Sequence, residues 1–64
     1  MNKEQLHKIN KEITSLVVRV ILEDGTANIV SLKEALEIAD NLGLDLVEIS
    51  PNTNPPVCKV MNYQ

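Results

Sequence analysis

Aromatic residues are almost absent from this 64-residue chain: it has no Phe, no Trp and a single tyrosine, Tyr63. A core must therefore come from Leu, Ile, Val and Ala, and a lone tyrosine outside that aliphatic set belongs at a surface. Cysteine is equally scarce. Cys58 alone excludes an intramolecular disulfide framework and a Cys-based zinc site, and it fits a reducing, cytoplasmic setting. Set between Val57 and Lys59 on a strand pattern, it reads as a small buried hydrophobe rather than a reactive thiol. His7 is the only histidine and has no second histidine or cysteine at ligand spacing, so no metal site is expected. Ser31 has no histidine in the folded body to activate it. Gly25 and Gly43 are too isolated to form a phosphate loop. No run approaches 18 apolar residues, so nothing spans a membrane, and no apolar segment of signal-peptide type follows the first basic residues.

The acidic residues offer no catalytic pair. Glu34 and Glu37 stand one helical turn apart, and Asp45 and Glu48 fall on opposite faces of a strand. Neither pair has a pocket to raise one carboxyl pKa, so all four read as solvated. A chain this short buries only about 60% of the surface its unfolded form exposes. With roughly 3–5 kcal/mol of net stability, it has little core to give up to a substrate cavity. The expectation is one small domain that is not an enzyme and carries no cofactor or metal.

What is present is an ordinary hydrophobic fraction, 44%, enough for a folded chain, and an uneven charge. Residues 1–11 set Lys3, Lys8 and Lys11 against Glu4, a balance of +2. Residues 12–64 set Arg19, Lys33 and Lys59 against eight acids, a balance of −5. The body does not look like an electrostatic nucleic-acid binder; only the first residues and a few isolated bases could meet phosphate.

Hydrophobic periodicity places the elements. Leu6, Ile9 and Ile13 are spaced by three and four, a weak helical signal in a polar stretch. Residues 1–14 are therefore expected to be a flexible arm, either a plain disordered terminus or one that becomes helical when its apolar stripe finds a partner. Leu16 to Leu22 reads as a strand, with Leu16, Val18, Val20 and Leu22 on one face and Val17, Arg19 and Ile21 on the other. Asp24-Gly25 marks a hairpin turn, and Thr26 to Val30 returns. Ser31-Leu-Lys-Glu34 fits a capping box. Leu32, Ala35, Leu36, Ala39 and Leu42 follow as a buried stripe widened by Ile38, and Gly43 sits where a left-handed cap is wanted. Leu44 to Ile49 is a third strand. Pro51, Pro55 and Pro56 rule out strand in the next loop, where an X-Pro bond could be cis, and Val57 to Met61 is the fourth strand. The order β-β-α-β-β, with a right-handed crossover, predicts an α+β, β-grasp (ubiquitin-like) fold: residues 15–64 form a mixed four-stranded sheet of order 2-1-4-3 packed on one helix. If the first and fourth strands are neighbours, Arg19 and Lys59 share the sheet face that the helix leaves open.

The candidate contact residues are thus Lys8, Asn10 and Lys11 in the arm, Arg19 and Lys59 on the sheet, and Asn62 and Tyr63 at its end. Lysine and arginine meet phosphate oxygens, and a tyrosine can stack on a base or ribose.

The stretches Ile9-Asn-Lys-Glu-Ile13, Ile29-Val-Ser-Leu-Lys-Glu-Ala-Leu36, Asp45-Leu-Val-Glu-Ile-Ser-Pro51 and Pro55-Pro-Val-Cys-Lys-Val-Met-Asn-Tyr63 resemble the N-terminal domain of bacterial translation initiation factor three. The resemblance runs from about Ile9 to the chain end. It implies the β-grasp fold and a monomeric cytoplasmic module truncated at the start of an interdomain linker. The implied partners are the small ribosomal subunit through ribosomal RNA and platform proteins, the initiator tRNA, and a C-terminal domain of the same factor. The implied role is to tune initiator tRNA and start-codon selection and to help prevent premature subunit joining. The alternative is a general β-grasp protein-interaction adaptor with no ribosomal role. Where the family has arginine after the cysteine, this chain has Lys59, which keeps the charge and loses the bidentate geometry.

Overall fold

A computed structural model describes residues 7–63. Strand β1 spans Val17–Ile21, β2 Ala27–Ser31, helix α1 Leu32–Leu42, β3 Asp45–Ser50 and β4 Val57–Met61. The strands form one sheet of order β2-β1-β4-β3. β1 and β4 are central and parallel, and each pairs antiparallel with its edge strand. This is the β-grasp arrangement expected from the element order.

Local chemistry explains the joints. At the hairpin, Gly25 takes φ 91°, a region that a side chain disfavours. Its amide donates to Leu22 O at 2.9 Å, and Thr26 N donates to Asp24 Oδ1 at 2.9 Å. Both bonds close the turn between the strands. Helix α1 starts where Ser31 Oγ accepts Glu34 N at 3.1 Å. Only this half of the expected capping box forms. The helix ends at Gly43, φ 69°, with Gly43 N on Asp40 O at 3.1 Å and Leu44 N on Ala39 O at 2.9 Å. These two bonds are the Schellman pair that ends a helix on a left-handed residue. In the loop before β4, the Asn54–Pro55 bond is cis, and Thr53 Oγ1 donates to Ser50 O at 3.1 Å.

The core lies between α1 and one sheet face. It comprises Ile13, Val18, Val20, Ala35, Ala39, Leu46, Cys58 and Val60, flanked by Leu22, Val30, Leu32, Leu36, Ile38 and Leu44. Only alanines of the helix are fully buried. Their short side chains let the backbone lie close to the sheet, while the larger residues wedge in at either side. Two expected core leucines are outside: Leu16 is 82% exposed and Leu42 is 55% exposed. Leu16 lies before the sheet begins and contributes its carbonyl instead, which accepts Leu32 N at 2.8 Å. Leu42 sits on the last helical residue, at the end of the packed stripe.

Two further differences concern polar residues and the N-terminal stretch. Glu48, expected to be solvated, is only 7% exposed. It lies across from Cys58, where a bulge shifts the β3 register between Glu48 and Ser50. Period-two alternation puts it on the helix side with Leu46. Leu6 lies outside the described residues, but the rest of the arm's apolar set is docked. Ile13 is buried in the core, and Asn10–Glu12 forms a single 3-10 turn rather than an α-helix. Ile9 makes an antiparallel bridge to Val47. The stretch thus docks on the sheet of its own chain in largely extended form, not as the helix that the apolar spacing suggested.

Candidate functional site

The face of the sheet away from α1 can be read as cross-strand rows. One row runs Ala27, Ile21, Lys59, Val47 and on to Ile9. The next holds Ile29, Arg19 and Val57. Arg19 and Lys59 therefore share the open face on neighbouring strands, offset by two residues, about 8 Å between Cα atoms by strand geometry. Both are exposed, and neither side chain is engaged among the described residues. Their neighbours are apolar. Ile29 is 56% exposed and Val17 46%, and Ile21, Val57, Ile49 and Met61 are half-buried. Among the described residues, the single acid of the four strands on this face is Asp45, at the corner, paired with Met61.

Asp45 is a junction with no local sequence signature. Its Oδ1 accepts Asn10 Nδ2 at 3.0 Å, and its Oδ2 accepts the Tyr63 amide at 3.3 Å. Asn10, at φ 50°, also accepts Leu46 N on its Oδ1 at 3.0 Å. Asparagine tolerates that left-handed backbone better than other side chains. Glu48 N donates to Lys8 O at 2.9 Å. The outward amides of edge strand β3 at Leu46 and Glu48 are thus both capped by the N-terminal stretch, which protects the edge from foreign strands. The ring of Tyr63 is tilted against that of His7, with centroids 6.1 Å apart.

The seven candidate residues therefore divide among four places. Arg19 and Lys59 form the cationic pair on the open face. Lys8 is exposed along the outer edge of β3, and Asn62 is exposed at the exit from β4. Tyr63 is half-buried rather than free. Asn10 is occupied structurally at both ends of its amide. Lys11 lies on the helix side, lining a groove of about 540 Å³ with Lys33, Leu36, Glu37 and Asp40. The exposed Val17 and Ile29 were missed as candidates; β-branched residues on an uncovered sheet face carry no polar signature.

Cys58 has none of the properties of a nucleophile. It is fully buried, and desolvation, reinforced by the neighbouring Glu48 carboxylate, pushes its thiol up to about 11. Among the described residues, no group of three or more His, Cys, Asp or Glu could hold a metal ion, and no helix is long and apolar enough to cross a membrane.

A family model described as translation initiation factor IF-3, N-terminal domain, matches residues 9–64. The translation initiation factor IF-3 of Blochmanniella floridana is 52% identical over 64 residues, covering 98% of this chain and 37% of the relative. That of Pasteurella multocida is 57% identical over 58 residues, covering 89% of this chain and 32% of the relative. That of Borreliella burgdorferi is 52% identical over 56 residues, covering 88% and 30%. The chain thus spans about a third of the length of the curated relatives it matches.

Proposed function

The chain belongs to the family of the N-terminal domain of translation initiation factor IF-3, and from that premise we propose that it is the small-subunit-binding module of a cytoplasmic initiation factor. In this reading it tunes initiator tRNA and start-codon selection and helps hold off premature subunit joining. The observation that carries the reading is the open sheet face, where Arg19 and Lys59, without a side-chain partner among the described residues, project from an apolar surface on a chain whose overall charge is −3. Guanidinium and ammonium groups there meet phosphate oxygens of ribosomal RNA or initiator tRNA, while Val17 and Ile29 exclude water beside them. Two or three cationic contacts make a weak electrostatic anchor. A C-terminal domain of the same factor would supply the remainder by raising the local concentration of this module.

The test is an NMR titration of the labelled chain with purified small ribosomal subunits at several salt concentrations. The expected result is broadening focused on β1 and β4 residues of the open face. The logarithm of affinity should fall against that of salt with a slope of about −2, the scale of two to three phosphate contacts. Arg19→Ala with Lys59→Ala should remove most of that slope with the fold intact. An unchanged affinity and slope in the double variant would refute the assignment of this face.

A second reading, a protein-interaction adaptor, is favoured by the exposed Val17 and Ile29. It requires binding through the apolar surface with little salt dependence, so the same salt series separates the two.

A further inference from the structure

The two ends of the described chain meet at one carboxylate, and this has a physical consequence. Asp45 offers two oxygens, and each is used by a different segment: Oδ1 by Asn10 of the N-terminal stretch and Oδ2 by the backbone amide of Tyr63 beyond β4. The carboxyl group is a single rigid plane, so the rotation that satisfies one donor also sets the position of the other oxygen. The entropy of fixing the side chain is lost once for two bonds. With one donor gone, the plane is free to turn and the remaining bond weakens. Asn10 repeats the arrangement, joining the Asp45 carboxylate to the Leu46 amide through one planar group. A separate observation points the same way: the His7 ring from the N-terminal side packs on the Tyr63 ring from the exit.

We infer that Asp45 is a positioning residue that couples the N-terminal segment to the exit at Tyr63, so that the two segments order and loosen together. The backbone tie at Glu48 holds Lys8 near the same edge of β3. A ligand that fixes either segment therefore favours the docked state of the other, with no change in the sheet between them. The inference is independent of the ribosomal reading, because its readouts need no ribosome.

Amide exchange and ¹⁵N order parameters of the 64-residue chain test it. Asn10→Ala should speed exchange at the Tyr63 amide roughly fivefold, the scale of one net hydrogen bond, although Asn10 makes no hydrogen bond to Tyr63. In an Asp45→Ala background the same Asn10→Ala change should leave the Tyr63 amide unmoved, because the shared acceptor is already gone. Asp45→Asn keeps the shape and loses one acceptor, so it should fall between wild type and Asp45→Ala. It serves as the background should the alanine variant fail to fold. The amides of Val18, Val20 and Val60 are the internal reference, since a merely structural loss would raise exchange there as well. The inference is overturned if Asn10→Ala leaves the Tyr63 amide at its wild-type rate and order. It is equally overturned if the effect is the same size in both backgrounds, or if it appears uniformly across the sheet.

Discussion

The two faces of this sheet are made by alternate residues of the same four strands, yet they differ in kind. The face under α1 is closed: Val18, Val20, Leu46, Cys58 and Val60 are fully buried there. The opposite face is also largely apolar, but beyond the fully buried Val47 it leaves Val17, Ile29, Arg19 and Lys59 exposed. Charge shows the difference most clearly. The outer surface of α1 carries Glu34, Glu37 and Asp40 against Lys33, whereas Asp45, the one acid among the described strand residues of the open face, is already bound to Asn10 and Tyr63. The formal charge of −3 is a sum over the whole chain and conceals a local positive surface on the open face. Net charge bears on solubility and long-range encounter, while a contact responds to the charges within about a Debye length, near 8 Å at physiological salt.

The largest effect that would test this contrast is truncation on the closed face. Leu46→Ala removes a fully buried side chain from the centre of the core. The transfer and cavity terms together cost about 2–5 kcal/mol. A domain of this size has roughly 3–5 kcal/mol in total, so the variant should lose most of its stability, read by circular dichroism as a urea midpoint moved far towards zero. A urea midpoint close to that of the unaltered chain would mean that the helix-covered core is not what holds the fold.

The closed face can also be probed by its thiol. Cys58 has its folded pKa raised to about 11 by burial and by Glu48, above the ordinary value of about 8.5 that it regains on unfolding. The protonated thiol is the form that the fold prefers. Its contribution is fully present below about pH 8.5 and is lost as pH rises through 11. Urea midpoints of the unaltered chain should therefore fall between pH 9 and pH 11 by more than those of Cys58→Ala, which removes the thiol while lysine and tyrosine titrations remain. A thiol reagent at pH 8 should label only the unfolded fraction. Rapid stoichiometric labelling of the folded chain would show that this face is less closed than its packing implies.

Much of this contrast was legible in the residues. Period-two alternation separated Val18 and Val20 from Val17 and Arg19, and Ser31 and Gly43 bounded the helix through cap chemistry that is local in sequence. These elements placed Arg19 and Lys59 on one face once the crossover made β1 and β4 neighbours. The corner around Asp45 was not legible, because its bonds join residues 35 and 18 positions apart. Nothing in a half-polar stretch says that Asn10 will cap the amide of Leu46. Glu48 was misread for a related reason: alternation gives its face, but the bulge beside it and the loop after it decide how much water remains there. The spacing of Ile9 and Ile13 suggested a helix, but both residues are extended, flanking a single 3-10 turn, with Ile9 bridging Val47 and Ile13 buried in the core.

The smallest stability effect makes the sharpest test of the open face. Ile29 lies on edge strand β2 opposite Arg19 and is 56% exposed. Threonine is also β-branched and keeps the strand preference, so Ile29→Thr changes hydrophobicity with little change in backbone propensity. A surface substitution of this kind should alter stability by no more than about 0.5 kcal/mol, read as an unchanged urea midpoint. In the small-subunit titration the same variant should bind more weakly, because the apolar area beside Arg19 shrinks while the charge is kept, and the salt slope should stay as it was. Arg19→Ala makes the complementary change, losing slope. Were Ile29→Thr to cost as much stability as a core truncation, the open face would be packed in solution and the two faces would not differ as described. Were it to leave binding untouched while Arg19→Ala abolished it, the contact would be purely electrostatic, and the apolar surface around the two cations would need another occupant.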